Sequence, residues 1–457
     1  VDVQGALAVD GRRIIFRPTG GFALLRSYGV ELVVSSSSMR WTFTTRDGRW
    51  GKRHDFGLGG MAVVSGDVDG TVLVASDDRK TIWTAFFSPF AGWEEPRIVA
   101  RYFGTKYAGA LLACIWRGVS FLGWVESDEA EREVVYGRSA PRQIGRPFCR
   151  LSRGTDVAWQ REEAPISAAF SRLVQGLHQS GPSALCWVDR HRRLVDLSLR
   201  GSLGVDLGTT DGQLVVSNAG EALHVWRDGL QLFARQVTEN GVGPAVKILD
   251  SDPMGELTSN GRGHAAVLWV DRPGPLPAGC LWWCRYERGS WNAPELLHMP
   301  DEDYIQPHDP KAAFLSDGRA LLTWGETEID RNRDRHGIEF VGIRSSGHLW
   351  VRELDGVVYP RWNIDVRSLA PGVGPDDNGF FFWGGSEGGF APPSENGLYA
   401  WRVIDGKPAA APELLALARP GHTIMDVHPV IDHRGAATVV VRETLGNNSH
   451  IFACRFD

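Results

Sequence analysis

The stretch Gly263–Asp271, "GHAAVLWVD", places a tryptophan six residues after a glycine and an acid two residues after the tryptophan. The same spacing recurs in "GPSALCWVD" from Gly181, "GEALHVWRD" from Gly220, "GRALLTWGE" from Gly318 and "GVSFLGWVE" from Gly118. With the tryptophan relaxed, "GTVLVASDD" from Gly70 puts Ser76 and Asp78 in the last two places, and "GAATVVVRE" from Gly435 puts Val441 and Glu443 there. "GRRIIFRPT" from Gly11 is a degraded copy, and "DNGFFFWGG" around Trp383 keeps the tryptophan while losing the register glycine and the acid. Successive copies lie roughly 39 to 63 residues apart, a period of solenoids and propellers.

Each copy reads as one strand of a small sheet. The run after the glycine is apolar on both faces and too short for a helix, as in a strand buried between stacked sheets. Strand-like runs flank it with turn residues between them: after "HAAVLWVD" come "CLWWCRYE", "RGSW" and "APELLHM". No amphipathic helix stands out. Four antiparallel strands per unit at this period predict an all-β fold, a single β-propeller spanning residues 1–457. Nine register positions, two of them poor, give a best estimate of eight blades, with seven or nine also compatible. The chain ends in "SHIFACRFD" and begins with "VDVQGALAV", so the ring is expected to close through the N-terminal strand, hiding both edges.

Composition fits one large soluble domain: 43% hydrophobic, 23% charged, with 54 glycines for tight turns and 18 tryptophans against five methionines. A net charge of −6 argues against a nucleic-acid partner, which needs a basic patch. The basic clusters at 189–194 and 330–337 are interleaved with aspartate and read as solvated loop tips. No apolar run is long enough for a transmembrane helix. The chain starts at Val1, so secretion with the signal removed is compatible, and a monomer is expected. Cys280 and Cys284 sit four apart on one strand, about 13 Å by strand rise, too far for a bridge. With Cys114, Cys149, Cys186 and Cys454 they read as small buried hydrophobes; no metal or other cofactor is expected.

The acids closing the repeat phrase (Glu126, Asp189, Asp228, Asp271, Glu326 and Glu443) are expected at the rim, where they start turns and solvate strand ends. A site is expected where the repeat breaks, in the segments leading into the innermost strands. "DEDYIQPHDPK" brings Tyr304, His308 and Asp309, and "HTIMDVHP" brings Asp426 and His428, as candidate catalytic groups. "YFGTKYAG" adds Lys106 and Tyr107, "KRHDFG" adds Arg53, His54 and Asp55, and "WNIDVRS" adds Asp365 and Arg367; of these Lys106, Tyr107, His54, Asp55 and Arg367 are candidate substrate-binding groups.

The phrases "DGRALLTW" (317–324) and "SWNAPELL" (290–297) resemble those of bacterial propellers with sialidase-like (BNR-type) and related glycan-active blades. The resemblance covers most of the chain. It departs from the Asp-box pattern Ser-x-Asp-x-Gly-x-x-Trp, and the sialidase arginine triad has no counterpart to map. What it implies is a polysaccharide or oligosaccharide ligand. A lyase needs a base, an acid and a cation for the uronate, which histidine, tyrosine and arginine supply. A hydrolase needs two facing carboxylates, for which Asp309, Asp426 and Asp55 are candidates. The alternative is a non-catalytic propeller that binds glycan or protein, as a lectin or interaction scaffold.

Overall fold

A computed structural model describes the strands given below and the turns and junctions at 48–53, 59–61, 67, 70–71, 78, 80, 89–91, 94–96, 103, 243–245, 263–264, 279, 288–289, 292–294, 299, 315–319, 374, 377–378, 396, 412, 418–422, 432, 434–436, 446 and 457. Every regular element among these residues is a β-strand. No helix of the described residues is long and apolar enough to cross a membrane.

Among the described residues eight antiparallel sheets of three or more strands follow one another. Sheet one holds Ala62–Gly66, Val72–Asp77 and Thr81–Ser88, with Gly92–Trp93 and Arg97–Arg101 both on the third strand. Sheet two is Lys106–Trp116, Val119–Asp128, Arg146–Arg153 and Gln160–Glu163; sheet three is Arg172–Gly176, Ala184–Val188, Arg193–Asp196 and Val205–Asp206. Sheet four is Gln213–Val216, Ala222–Asp228 and Gln231–Thr238, edged by Gly241–Val242 and Val246–Leu249. Sheet five is Gly255–Ser259, Ala265–Asp271 and Cys280–Glu287, edged by Ser290–Trp291 and Glu295–His298. Sheet six is Ile305–Phe314, Ala320–Ile329 and Gly342–Val351. Sheet seven is Asp365–Val373, Gly379–Ser386 and Gly397–Ile404, edged by Lys407–Pro408 and Glu413–Leu417. Sheet eight is Thr423–Ile431, Ala437–Leu445, Asn448–Phe456 and, from the other end of the chain, His54–Leu58. Short hairpins (Gly5–Asp10 with Arg13–Pro18, Ser27–Val34 with Ser37–Thr44, Glu133–Val134 with Pro141–Arg142) stand outside the eight.

The arrangement is propeller-like. Each sheet's first strand packs beside the first strand of the next, and Thr423–Ile431 packs beside both Asp365–Val373 and Ala62–Gly66. These inner strands are also tied by side chains: Ser65 accepts from the Ile115 amide at 3.1 Å, Gln213 from the Leu257 amide at 2.6 Å, and Thr258 donates to the Ala312 carbonyl at 3.0 Å.

The core is divided into wedges between neighbouring sheets, which explains strands apolar on both faces. In Gly379–Ser386, Phe380 and Phe382 pack into sheet eight's wedge, while Phe381 and Trp383 pack toward sheet six. The repeat tryptophans Trp269 and Trp324 lie in such wedges, at 1% and 2% exposure. Cys280, Cys284 and Cys454 are buried free thiols, as small hydrophobes should be; burial pushes Cys284 and Cys454 up to about 12.

The register glycine precedes the second strand of a sheet, in a tight turn from the first. Gly70 and Gly318 adopt φ of 87° and 91° there, and each donates its amide three residues back, to Asp67 and Leu315. A side chain at such φ is strained. In sheet seven Asp377 takes this place at φ 64°, and its carboxylate accepts from the Ser316 amide and hydroxyl of sheet six, both at 2.6 Å. A Cβ on Gly70 would lie 2.6 Å from Arg434 Nη2 and 2.8 Å from Asp432 Oδ2, inside an ion pair of sheet eight. Gly70→Ala is therefore expected to lower unfolding stability by about 2–3 kcal/mol, read by denaturant titration; a loss within about 0.5 kcal/mol would show the turn free to relax.

The expectation that the N-terminal strand closes the last sheet is corrected. Among the described residues Gly5–Asp10 pairs with Arg13–Pro18 and not with Asn448–Phe456. The strand on Asn448–Phe456 is His54–Leu58, with Phe56 buried among Val72, Val74, Trp83 and Ile451. Upstream, Trp50 bridges Phe456 and packs edge-on against Phe380 and Phe382. An anchored, buried Phe outweighs the generic strand character of the first nine residues.

Candidate functional site

In each of the eight sheets the first strand forms one edge and packs beside the first strand of the next sheet. Four of these first strands carry an irregularity close to their start. Pairing shifts between Gly109 and Leu112, His308 and Lys311, Val366 and Ser368, and Ile424 and Asp426. Such bulges break the ladder locally and re-aim side chains next to a site. Asp309, Arg367 and Met425 fall within these breaks.

Seven of the ten candidates lie on these four strands: Lys106, Tyr107 and Arg367 within their first three residues, His308, Asp309 and Asp426 at the bulges, and His428 past the middle of Thr423–Ile431. The side chains of Lys106, Tyr107, His308, Asp309 and Arg367, and all of Tyr304, lie outside the described residues. His54 and Asp55 are not on inner strands, because they sit on the outermost strand of sheet eight. His54 stacks on Trp93 with ring centroids 5.5 Å apart, and burial holds it below its ordinary pKa.

Asp426 and His428 are described fully. Asp426 pairs in register with Arg442, and its Oδ2 lies 2.5 Å from Arg442 Nε. Burial of His428 pushes its pKa down to about 4; Lys311 and Arg442 push the same way and Asp426 opposes them. The imidazole is therefore neutral at pH 7, near two cations. Lys311 belongs to sheet six and His428 to sheet eight, so their fields meet across the inner strands.

Sequence reasoning missed Lys311, Arg442 and the methionines. Lys311 closes the quoted segment "DEDYIQPHDPK", and Arg442 lies between the two repeat positions Val441 and Glu443. Met61, Met299 and Met425 are 50%, 55% and 37% exposed at or just before inner strands. Methionine is ordinarily a buried residue, so its scarcity and its placement together were a readable signal. Phe103, 79% exposed, lies in the same kind of junction before Lys106.

The acids of the repeat phrase divide. Asp78 starts a turn, accepting from the amides of Lys80 at 3.0 Å and Thr81 at 2.5 Å, and Asp228 is exposed. Glu443 is fully buried instead. Arg53 grips both its oxygens, and Arg419 donates from its amide at 3.0 Å and pairs through Nε at 3.2 Å. Asp55 bridges the two arginines, at 2.7 Å from Arg53 and 3.2 Å from Arg419. Burial works against the charges on Arg53 and Asp55, but their mutual pairing wins: Arg53 is held above its ordinary pKa and Asp55 below. This cluster is architectural. Among the described residues no group of three or more His, Cys, Asp or Glu side chains converges as metal ligands would.

No family model matches the chain, and no curated protein does. Solved structures do resemble it. A Dyadobacter fermentans protein of unknown function is 11% identical, over 90% of this chain and 98% of that one, with a TM-score of 0.41. The polysaccharide lyase Uly1 is 10% identical over 85% and 88%, with a TM-score of 0.44. A puromycin hydrolase is 11% identical over 84% of this chain and 58% of its own, with a TM-score of 0.45.

Proposed function

We propose that the eight sheets are the blades of one closed propeller, a single domain, whose mouth takes an acidic carbohydrate and cleaves it as a lyase. The cyclic packing of the inner strands supports the ring. The observation that carries the ligand class is His428, kept neutral beside Lys311 and Arg442 on a bulged inner strand. Burial is the largest cause of its depressed basicity, and a uronate carboxylate drawn to Lys311 and Arg442 would cancel the part those cations add. The basicity of His428 would then rise toward the range of a general base in the loaded site. Arg367 and Lys106 would add positive charge, Tyr107 or Tyr304 would protonate the leaving oxygen, and His308 would assist. The exposed Phe103 and Met425 would pack on the apolar faces of sugar rings.

A glycoside hydrolase fits less well. It needs two facing carboxylates, and Asp426 is already occupied by Arg442. The non-catalytic reading has one observation in its favour: a histidine at about 4 is a weak base while the mouth is empty.

A panel of neutral and uronate-containing polysaccharides separates these readings. The lyase predicts new unsaturated ends absorbing in the ultraviolet with uronate substrates alone, net proton uptake on binding near pH 6, and a rate loss of about 10²–10⁴ for His428→Ala with the fold unchanged by circular dichroism. Reducing ends without unsaturation select the hydrolase. Binding without turnover, untouched by His428→Ala and Lys311→Ala, removes the mouth from consideration.

A further inference from the structure

The seam between sheets seven and eight holds a titratable group that the mouth chemistry does not use. Residues 418–422 join Glu413–Leu417 to the inner strand Thr423–Ile431, which bears Asp426 and His428. Two tethers hold them: the Ala418 amide donates to the Asn396 carbonyl at 2.8 Å, and Arg419 reaches Glu443, Asp55 and His450, while inside the segment the His422 amide donates to the Arg419 carbonyl at 2.9 Å. The contact with His450 runs from Arg419 Nη1 to the ring's Nδ1. A guanidinium only donates, so Nδ1 must be bare and the ring proton must sit on Nε2.

We propose that His450 is a proton-operated catch on this seam: once protonated it expels Arg419 and frees residues 418–422 from the body of sheet eight. The charges around it show why. Two guanidiniums, Arg53 and Arg419, balance two carboxylates, Glu443 and Asp55, in a part-buried cluster. A proton on His450 leaves that cluster with one excess positive charge and turns the Arg419 contact from a hydrogen bond into a clash of two donors. His422, whose ring stands 5.5 Å away at 65°, faces the same atom group and has no negative partner to lend. Leu58, opposite His450 on the closing strand, supplies no charge. Burial, Arg419 and His422 all hold His450 below its ordinary value, against the pull of Glu443 and Asp55.

The sign follows. In the folded molecule the pKa of His450 is depressed below 6.5, so between that lowered value and 6.5 the unfolded chain binds the proton and the folded one does not. The catch's contribution is present above this window and is lost as pH falls through it. Opening frees the segment that leads directly into the strand of Asp426 and His428, so acid would loosen the mouth from one side.

Hydrogen exchange of the peptide covering 413–424 tests this on the whole chain, corrected for intrinsic exchange. Protection at 418–422 should fall about tenfold between about pH 7.5 and pH 5. His450→Gln keeps an acceptor for Arg419 but takes no proton, and its protection should stay flat. His422→Asn should move the midpoint upward by removing a neighbour that disfavours the charge. Equal loss in His450→Gln and parent, or flat protection in the parent, overturns the catch. A ¹⁵N-histidine spectrum gives a second reading without mutation, since a His450 proton on Nδ1 at neutral pH would contradict it.

Discussion

A chain begun at Gly59 is expected to aggregate or to melt far below the parent, whereas one begun at Gly48 should melt within a few degrees of it. The difference lies in residues 48–58. His54–Leu58 supplies the fourth strand of sheet eight, pairing His450–Ala453, and Arg49 and Gly51 continue the contact by backbone bonds to Asp457 and Arg455. Phe56 fills the wedge between sheets eight and one, and Trp50 packs on Phe380, Phe382 and Phe456. Losing one buried aromatic typically costs about 3–5 kcal/mol, and here Phe56 goes together with the half-buried Trp50, a ladder and the cover of an edge. The Arg53 clamp on Glu443 goes with them. Melting by circular dichroism and size-exclusion profiles of the two truncations decide it. Should the Gly48 form be the one that aggregates, closure would belong to the first 47 residues after all.

That contrast also marks how far the sequence could be read. The Gly-to-Trp spacing was legible because two local constraints fix it: a left-handed turn at Gly70 and Gly318, and a buried indole at Trp269 and Trp324. Both leave a residue type at a fixed offset. The closing strand left none. "VDVQGALAV" and "HDFGL" are equally strand-like, and only the wedge that receives Phe56 separates them. The sequence set Asp426 and His428 in a segment just before an inner strand, and both lie within Thr423–Ile431 instead, because a histidine followed by proline does not by itself mark where a strand begins. The influence of Lys311 on His428 was not legible, because it joins sheet six to sheet eight and exists only once sheets six, seven and eight pack side by side. Glu443 shows the limit most clearly. Its place in the repeat phrase is the same as that of Asp78 and Asp228, yet one starts a turn, one is exposed and one is sealed beneath two arginines.

Glu443→Ala is accordingly expected to cost about 3–5 kcal/mol, the range for breaking a buried ion pair by removing one partner. The carboxylate itself is not the whole cost. Arg53, 16% exposed at its side chain, would keep the Leu417 carbonyl and, for its charge, Asp55, which is 44% exposed and shared with Arg419. The backbone of Arg419 would lose its acceptor, and with it a tether between sheets seven and eight. Replacing both partners removes the stranded charge, so Glu443→Leu with Arg53→Leu should recover much of the loss. Arg53 also lies 3.8 Å over the Phe452 ring, so leucine there keeps an apolar cover. The matched control is Asp228→Ala, the same position of the repeat phrase in sheet four, where an exposed side chain should shift stability by less than about 0.5 kcal/mol. Denaturant titration of the three variants against the parent decides between the two outcomes. Near-equal losses for Glu443→Ala and Asp228→Ala would mean that the repeat acid acts alike everywhere. A large loss confined to Glu443, and relieved by the double leucine variant, would mean that this position holds the first and last parts of the chain together.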